Sequence, residues 1–311
     1  MAERVPGGRA SVVWRAARAA LRRMSRGGMD FTRRLWLKAG DDDIFFLAGG
    51  IAFNVLIAAL PFLLLLIAVF GFVLKRAVDD PEQAAVNYVF SILPPSQRLV
   101  VLTRTLVREV VAGRTQFGLL GLVLFIWTST RLFTSLRSVL RHVFDLPEER
   151  GIVAGKIFDL QMVVVAGTLF VLNTGTTIVV EAAQAYGVEW LGLAGRDELE
   201  LIQRGSARLL AFGFILLAFV LIYRYLPLRR TPWRIALVAA SFTAVVWEML
   251  KGAFAWYVST ADYRTTYGTL ATLVLLVLWV YYSAFVFVLG GEVGQVYDLL
   301  RRRRKQRELL E

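Results

Sequence analysis

Apolar residues in this chain come in long blocks rather than in periodic singles. Six blocks stand out, at residues 44–74, 117–140, 157–180, 207–226, 235–259 and 267–290. A helix needs about 20 apolar residues to cross a bilayer core. The third, fourth and sixth blocks are clear. The second is apolar only as far as Trp127 and then turns polar, and the fifth holds Glu248 and Lys251. The weak ten-residue alternation of a β-barrel is absent. The pattern therefore predicts an all-α polytopic membrane protein with six transmembrane helices. Residues 1–43 form a basic arm, 44–298 the transmembrane domain, and 299–311 a basic tail.

The parts between the blocks also carry pattern. In the arm, Trp14, Ala17, Leu21 and Met24 share one helical face, while Arg15, Arg18, Arg22, Arg23 and Arg26 occupy much of the rest. Such a helix suits an anionic membrane surface; the plainer alternative is a disordered arm that only sets topology. Between the first two spans, Leu99, Leu102, Leu106 and Val110 recur at helical spacing, with Arg98, Arg104 and Arg108 elsewhere. This predicts an amphipathic helical connection capping the bundle on its outer side.

Composition and charge sharpen the class. Of 311 residues, 57% are hydrophobic, and the formal net charge is +12. In a soluble protein that charge would point to nucleic acid; in a membrane protein its placement matters more. With the N-terminus inside, 23 Lys and Arg fall on the inner side and 10 on the outer. The positive-inside rule then puts both termini in the cytoplasm. The first block begins too late, and is too long, for a cleavable signal peptide.

Polar residues interrupt the greasy blocks. In LAGGIAFNVLIAALPFLL, Gly50, Asn54, Ile57 and Pro61 share a stripe, and Ala48 and Ala52 allow close approach of a neighbour. Pro61 frees the carbonyl of Ile57, which lipid cannot satisfy. The stripe reads either as tight packing with a kink or as the lining of a polar cavity. In the second span, Thr128, Arg131, Ser135, Ser138 and His142 form a polar stripe, with Thr130, Thr134, Arg137 and Arg141 beside it. Arg137 and Arg141 can snorkel to the surface. Arg131 lies deeper and needs an anion or a water-filled cavity.

Further along, Asn173, Thr177, Glu181 and Gln184 share a stripe near the outer end of the third span. Glu248 and Lys251 either neutralise each other at their three-residue spacing, or Glu248 pairs with Arg131 or binds a proton or cation. Tyr281 and Tyr282 are packing or interfacial residues, or else a substrate wall. Glu292 stands at the cytoplasmic end of the last span.

Other chemistry is missing. There is one histidine, His142, and no cysteine, so disulfides, thiolate metal sites and histidine-rich zinc motifs are excluded. The acid triplet Asp41–Asp43 points in different directions on a helix and makes no metal site alone. No phosphate-binding G-x-x-x-x-G-K-[ST] loop or G-x-S-x-G elbow occurs. No cofactor, no metal, no nucleic-acid partner and no enzymatic activity are expected.

The stretches LAGGIAFNVLIAALPFLLLL, PWRIALVAASFTAVVWEMLKGAFAWYV and YGTLATLVLLVLWVYYSAFVFVLGGEV resemble the YihY/BrkB family of bacterial inner-membrane proteins. The likeness covers roughly residues 30–298, and Gly290, Gly291 and Glu292 carry its closing Gly-Gly-Glu. It departs at Asn54, where an aromatic or small residue is more usual. The resemblance implies six transmembrane helices and an inner-membrane location. Some members are linked to serum resistance or discussed in envelope phospholipid transport, and others carry a ribonuclease label for which this sequence offers no catalytic residues.

The leading expectation is a transport-like protein that handles an anionic amphiphile such as phospholipid through a polar intramembrane cavity. Its cavity residues would be Asn54, Pro61, Thr128, Arg131, Ser135, Asn173, Thr177, Glu181, Glu248, Lys251 and Tyr281, with Arg131 on the headgroup. Membrane lipids with anionic headgroups are the expected partners, alongside a homo-oligomer or an envelope protein. The alternative is an envelope scaffold whose polar residues only pack the bundle.

Overall fold

The computed structural model describes residues 29–77, 83, 97–146, 151–190, 197–227, 229–260 and 271–310. They are helical almost throughout, and no strand occurs among them. Residues 29–41 form an entry helix. Six long helices follow: α1 (Ile44–Ala77), α2 (Gln97–Val143), α3 (Ile152–Trp190), α4 (Asp197–Tyr225), α5 (Trp233–Thr260) and α6 (Ala271–Glu308).

Five of them are long and apolar enough to cross a membrane, through Ile44–Val69, Gly118–Val143, Val153–Leu172, Trp233–Thr260 and Leu273–Glu308. In α4 the described apolar stretch is shorter, Leu209–Tyr225. Many large apolar side chains are exposed, among them Phe46, Leu60, Val123 and Met249. Without water outside, such side chains need no protein cover.

The amphipathic connection before the second span is not a separate cap. It is the first part of α2, a single helix of 47 residues, about 70 Å long. Helix continuity, with no proline between Gln97 and the span, makes it a rod rather than a lid. The basic tail likewise continues α6 as helix to Glu308, and Arg302 pairs with Asp298 at 2.6 Å. α1 runs on through Pro61.

Turns between helices are built locally. Asp43, at φ 49°, separates the entry helix from α1, and its carbonyl accepts from the Phe46 and Leu47 amides. Asp145, at φ 51°, ends α2, where the Leu146 amide reaches back to the Arg141 carbonyl. That is the long bond of a Schellman cap, and aspartate tolerates the left-handed position better than most residues.

α1 packs most extensively on α2 and also on α6, α5 packs on α6 and α4, and α3 leans on α2 and more lightly on α4. The core gathers Ala48 and Ala52 of α1, Leu140 of α2, Tyr223 of α4, Ala239 of α5 and Val288 of α6. Small residues set the spacing. A Cβ on Gly121 would lie 3.0 Å from the Leu65 amide nitrogen, so α1 and α2 nearly touch there. Gly50, by contrast, has nothing within 4 Å of a Cβ and is exposed. The tight-packing face of α1 is thus Ala48 and Ala52, not the glycine stripe.

The helix ends alternate. The start of α1, the end of α2, the start of α3, the end of α4, the start of α5 and the late part of α6 meet through contacts among Lys38, Asp145, Gln295, Arg137, Gly155, Tyr223, Ile235 and Gly294. Arginines and lysines crowd this end of the bundle.

Candidate functional site

Three polar assemblies lie at or near this basic end. The first joins the entry helix, α2 and α6. Lys38 Nζ donates to Asp42 Oδ2 at 2.7 Å and to Asp145 Oδ1 at 3.3 Å. Gln295 Nε2 donates to Asp145 Oδ2 at 3.0 Å. His142 Nε2 stands 4.0 Å from Asp42 Oδ1, with its ring largely exposed. Glu292 is fully buried, and neither carboxylate oxygen has a hydrogen-bond donor. Burial would lower the Lys38 ammonium. The hydrogen bond to Asp42 and the charges of Glu292, Asp42 and Asp145 outweigh that, and hold it above the ordinary lysine value.

The second assembly joins α2 and α3. Asp159 is fully buried and accepts on Oδ2 from Thr134 at 2.7 Å and Arg137 at 3.2 Å. Gly155 makes room for the guanidinium, because a Cβ there would sit 2.9 Å from an Arg137 terminal nitrogen. Arg137 is therefore tied to a buried carboxylate rather than snorkelling freely to the surface.

The third is a packing lock. The Tyr223 hydroxyl donates to the Phe287 carbonyl and sits 2.9 Å from Thr243 Oγ1, which in turn bonds the Ala239 carbonyl. A Cβ on Gly290 would fall 1.8 Å from Thr243 Oγ1. Gly290, Gly291 and Gly294 thus let α6 press onto α2, α4 and α5.

The residues expected at a site are dispersed. Asn54 turns its amide back to the Gly50 carbonyl at 2.8 Å, and Pro61 is buried. Thr128 bonds the Leu124 carbonyl of its own helix, and Ser135 is half-buried. Glu248 and Lys251 pair at 2.6 Å, which leaves Glu248 to its neighbour and not to Arg131. Tyr281 reaches the Phe45 carbonyl at 3.4 Å and joins α6 to α1. The side chains of Asn173, Thr177 and Glu181 lie outside those described, as do Trp14, Arg15, Arg18 and Arg22.

Arg131 stands alone. It lies midway along the apolar span Gly118–Val143 and its side chain is exposed on the outside of α2. Among the described residues it has no hydrogen bond, ion pair or ring contact.

The cavities differ from the expected polar one. A cavity of about 290 Å³ between α2, α3 and α4 is lined by Phe133, Met162, Leu169, Phe170, Phe214 and their apolar neighbours. A second, of about 260 Å³, lies within the bundle among Leu136, Phe219, Trp247, Trp279 and Phe287, with Ser283 its polar member. Thr128 and Thr130 turn their hydroxyls to carbonyls of their own helix and take no part in either lining. Among the described residues, no group of three or more His, Asp or Glu is placed to hold a metal ion.

Sequence reasoning named Glu292 and Asp42 without joining them, and passed over Asp159, Lys38, Asp145 and Tyr223. The spacing of Arg137 to Asp159 is across a turn, so no periodicity could flag it. An ionisable residue inside an apolar block is itself a signal, and Asp159 is one.

Described residues that are helical almost throughout, five of their helices apolar and of membrane length, mark an α-helical membrane protein. The family model described as Virulence factor BrkB matches residues 35–309, and the chain belongs to the BrkB family. A UPF0761 membrane protein of Alteromonas mediterranea is 26% identical, over 83% of this chain and 85% of its own length. One from Cronobacter sakazakii is 25% identical, over 83% and 85%. A Bacillus subtilis protein named ribonuclease-like, YfkH, is 24% identical over 82% of this chain and 89% of its own. The family description and the UPF0761 names specify no reaction. No solved structure matches the chain.

Proposed function

We propose that this chain is a six-span protein of the bacterial inner membrane, with both termini in the cytoplasm, that handles an anionic amphiphile such as a phospholipid. The observation that carries this reading is Arg131, a mid-span guanidinium exposed on the outside of α2 with no protein partner among the described residues. Insertion scales put the cost of an arginine there at about 2.5–3.5 kcal/mol. A lipid phosphate or another anion offsets that cost through charge-assisted hydrogen bonds. The apolar cavity between α2, α3 and α4 supplies a place for hydrocarbon nearby in the bundle. The substrate route is thus along a helix surface rather than through a polar pore. The protein acts without catalysing a covalent reaction, and partner recognition rests on lipid headgroups.

A scaffold reading rests on the buried lock of Tyr223, Thr243 and Gly290, which holds α4, α5 and α6 together. Native mass spectrometry of gently extracted protein separates the two. Retention of anionic lipid that Arg131→Ala loses supports lipid handling. Equal, non-selective adducts on both proteins favour the scaffold.

A further inference from the structure

Glu292 has an unusual combination of burial and neglect. It is fully buried, yet both carboxylate oxygens lack a donor. Asp42, itself buried, lies within hydrogen-bond reach of it. The hydrogen bonds of the cluster run to other acceptors. The Lys38 ammonium serves Asp42 and Asp145, and the Gln295 amide serves Asp145. His142 approaches Asp42 only to 4.0 Å. The Tyr223 hydroxyl of α4 is held by Thr243 and Phe287, and α5 meets Gly294 through Ile235 and Ala239.

Two carboxylates in contact accept hydrogen bonds and donate none. Fully ionised, Asp42 and Glu292 would repel each other and leave buried oxygens unsatisfied. A proton removes the repulsion and gives one of the buried oxygens a partner, since one carboxyl O–H then donates to the other carboxylate. A metal ion is the poorer fit, because no group of three acidic or histidine ligands converges among the described residues.

We propose that Asp42 and Glu292 share one exchangeable proton, so that this end of the bundle is a proton-binding site. Lys38 is its fixed counter-charge, and the pair links the turn before α1 to α6, with Asp145 tying in the end of α2. Loss of the proton sets two anions against each other at the joint of three elements. While that proton is held, the folded chain binds one more proton than an unfolded chain whose carboxylates are ionised, so stability falls as pH rises through its loss. The site is separate from Arg131, and either reading can fail without the other.

Infrared difference spectra of the purified full chain, between mildly acidic and alkaline buffer, test this directly. Wild type should show a protonated-carboxyl carbonyl band that is lost on alkalinisation and shifts in deuterium oxide. Glu292→Gln, whose amide can donate to Asp42, should lack that band and should keep its thermal midpoint constant across the same pH range. Asp42→Asn should lack the band too, and it carries the test if the glutamine variant does not fold. Glu248→Gln, in an exposed ion pair, should retain it. Absence of the band from wild type, or its persistence in both cluster variants, overturns the proposal. So does a wild type stabilised by sodium at alkaline pH without any protonated band, which would make the site a cation site.

Discussion

Gly290 and Gly50 are both helical glycines in apolar spans, and their surroundings are opposite. Gly290 faces the Thr243 and Tyr223 hydroxyls, while Gly50 faces nothing within 4 Å. Gly290→Ala should therefore destabilise by about 1–3 kcal/mol through overpacking, whereas Gly50→Ala should cost nothing, since alanine is the better helix former. Thermal unfolding in one detergent checks both. Arg137 gives a second contrast. Its removal strands the buried Asp159, and Arg137→Ala should cost about 3–5 kcal/mol. The double change Arg137→Met with Asp159→Leu should recover most of that loss, because it removes both charges instead of one. Lys38, held above the ordinary lysine value, keeps its charge throughout the physiological range. The stability its partners add is complete below the normal lysine range and is lost only as pH climbs through the raised value.

At the scale of elements, α2 is the unexpected one. Its amphipathic first part and apolar second part form one helix from Gln97 to Val143. Proline at Ala112, between the two parts, should break the rod and shorten the interval between spin labels placed on either side, as measured by double electron–electron resonance. A separate cap helix would leave that interval unchanged. The α1–α2 seam depends on Gly121, whose Cβ position faces the backbone of Leu65. Backbone cannot move aside as a flexible side chain can, so Gly121→Val should pry the pair apart and lower the thermal midpoint more than Gly118→Val, which meets only the Ala68 and Phe72 side chains.

For the whole molecule, the gathering of alternate helix ends at one basic end is the organising feature. The absence of cysteine gives a clean background for labelling. Thr32→Cys and Gln306→Cys should be shielded from an impermeant maleimide in intact cells and react once the membrane is opened. Ser259→Cys, at the far end of α5, should react in both. Labelling of only one terminal cysteine in intact cells would put the termini on opposite sides and remove the six-span reading, and labelling of both would invert the orientation.

The sequence by itself determined the class. Long apolar blocks are readable because a bilayer demands length and hydrophobicity from each helix on its own, without reference to neighbours. The same locality made the pairing of Glu248 with Lys251 readable, three residues apart on one helix. The tertiary structure decided what the polar residues do. Thr128 looks like a cavity residue in sequence and Thr130 like part of the polar stripe beside it, yet each bonds its own helix. Asp42 and Glu292 are 250 positions apart in the chain and meet only because α6 returns to the end where α1 begins. Lateral contacts between helices depend on rotation and register, which hydropathy leaves unspecified, so the proton pair, the Arg137–Asp159 bridge and the solitary outward face of Arg131 belong to the packed bundle.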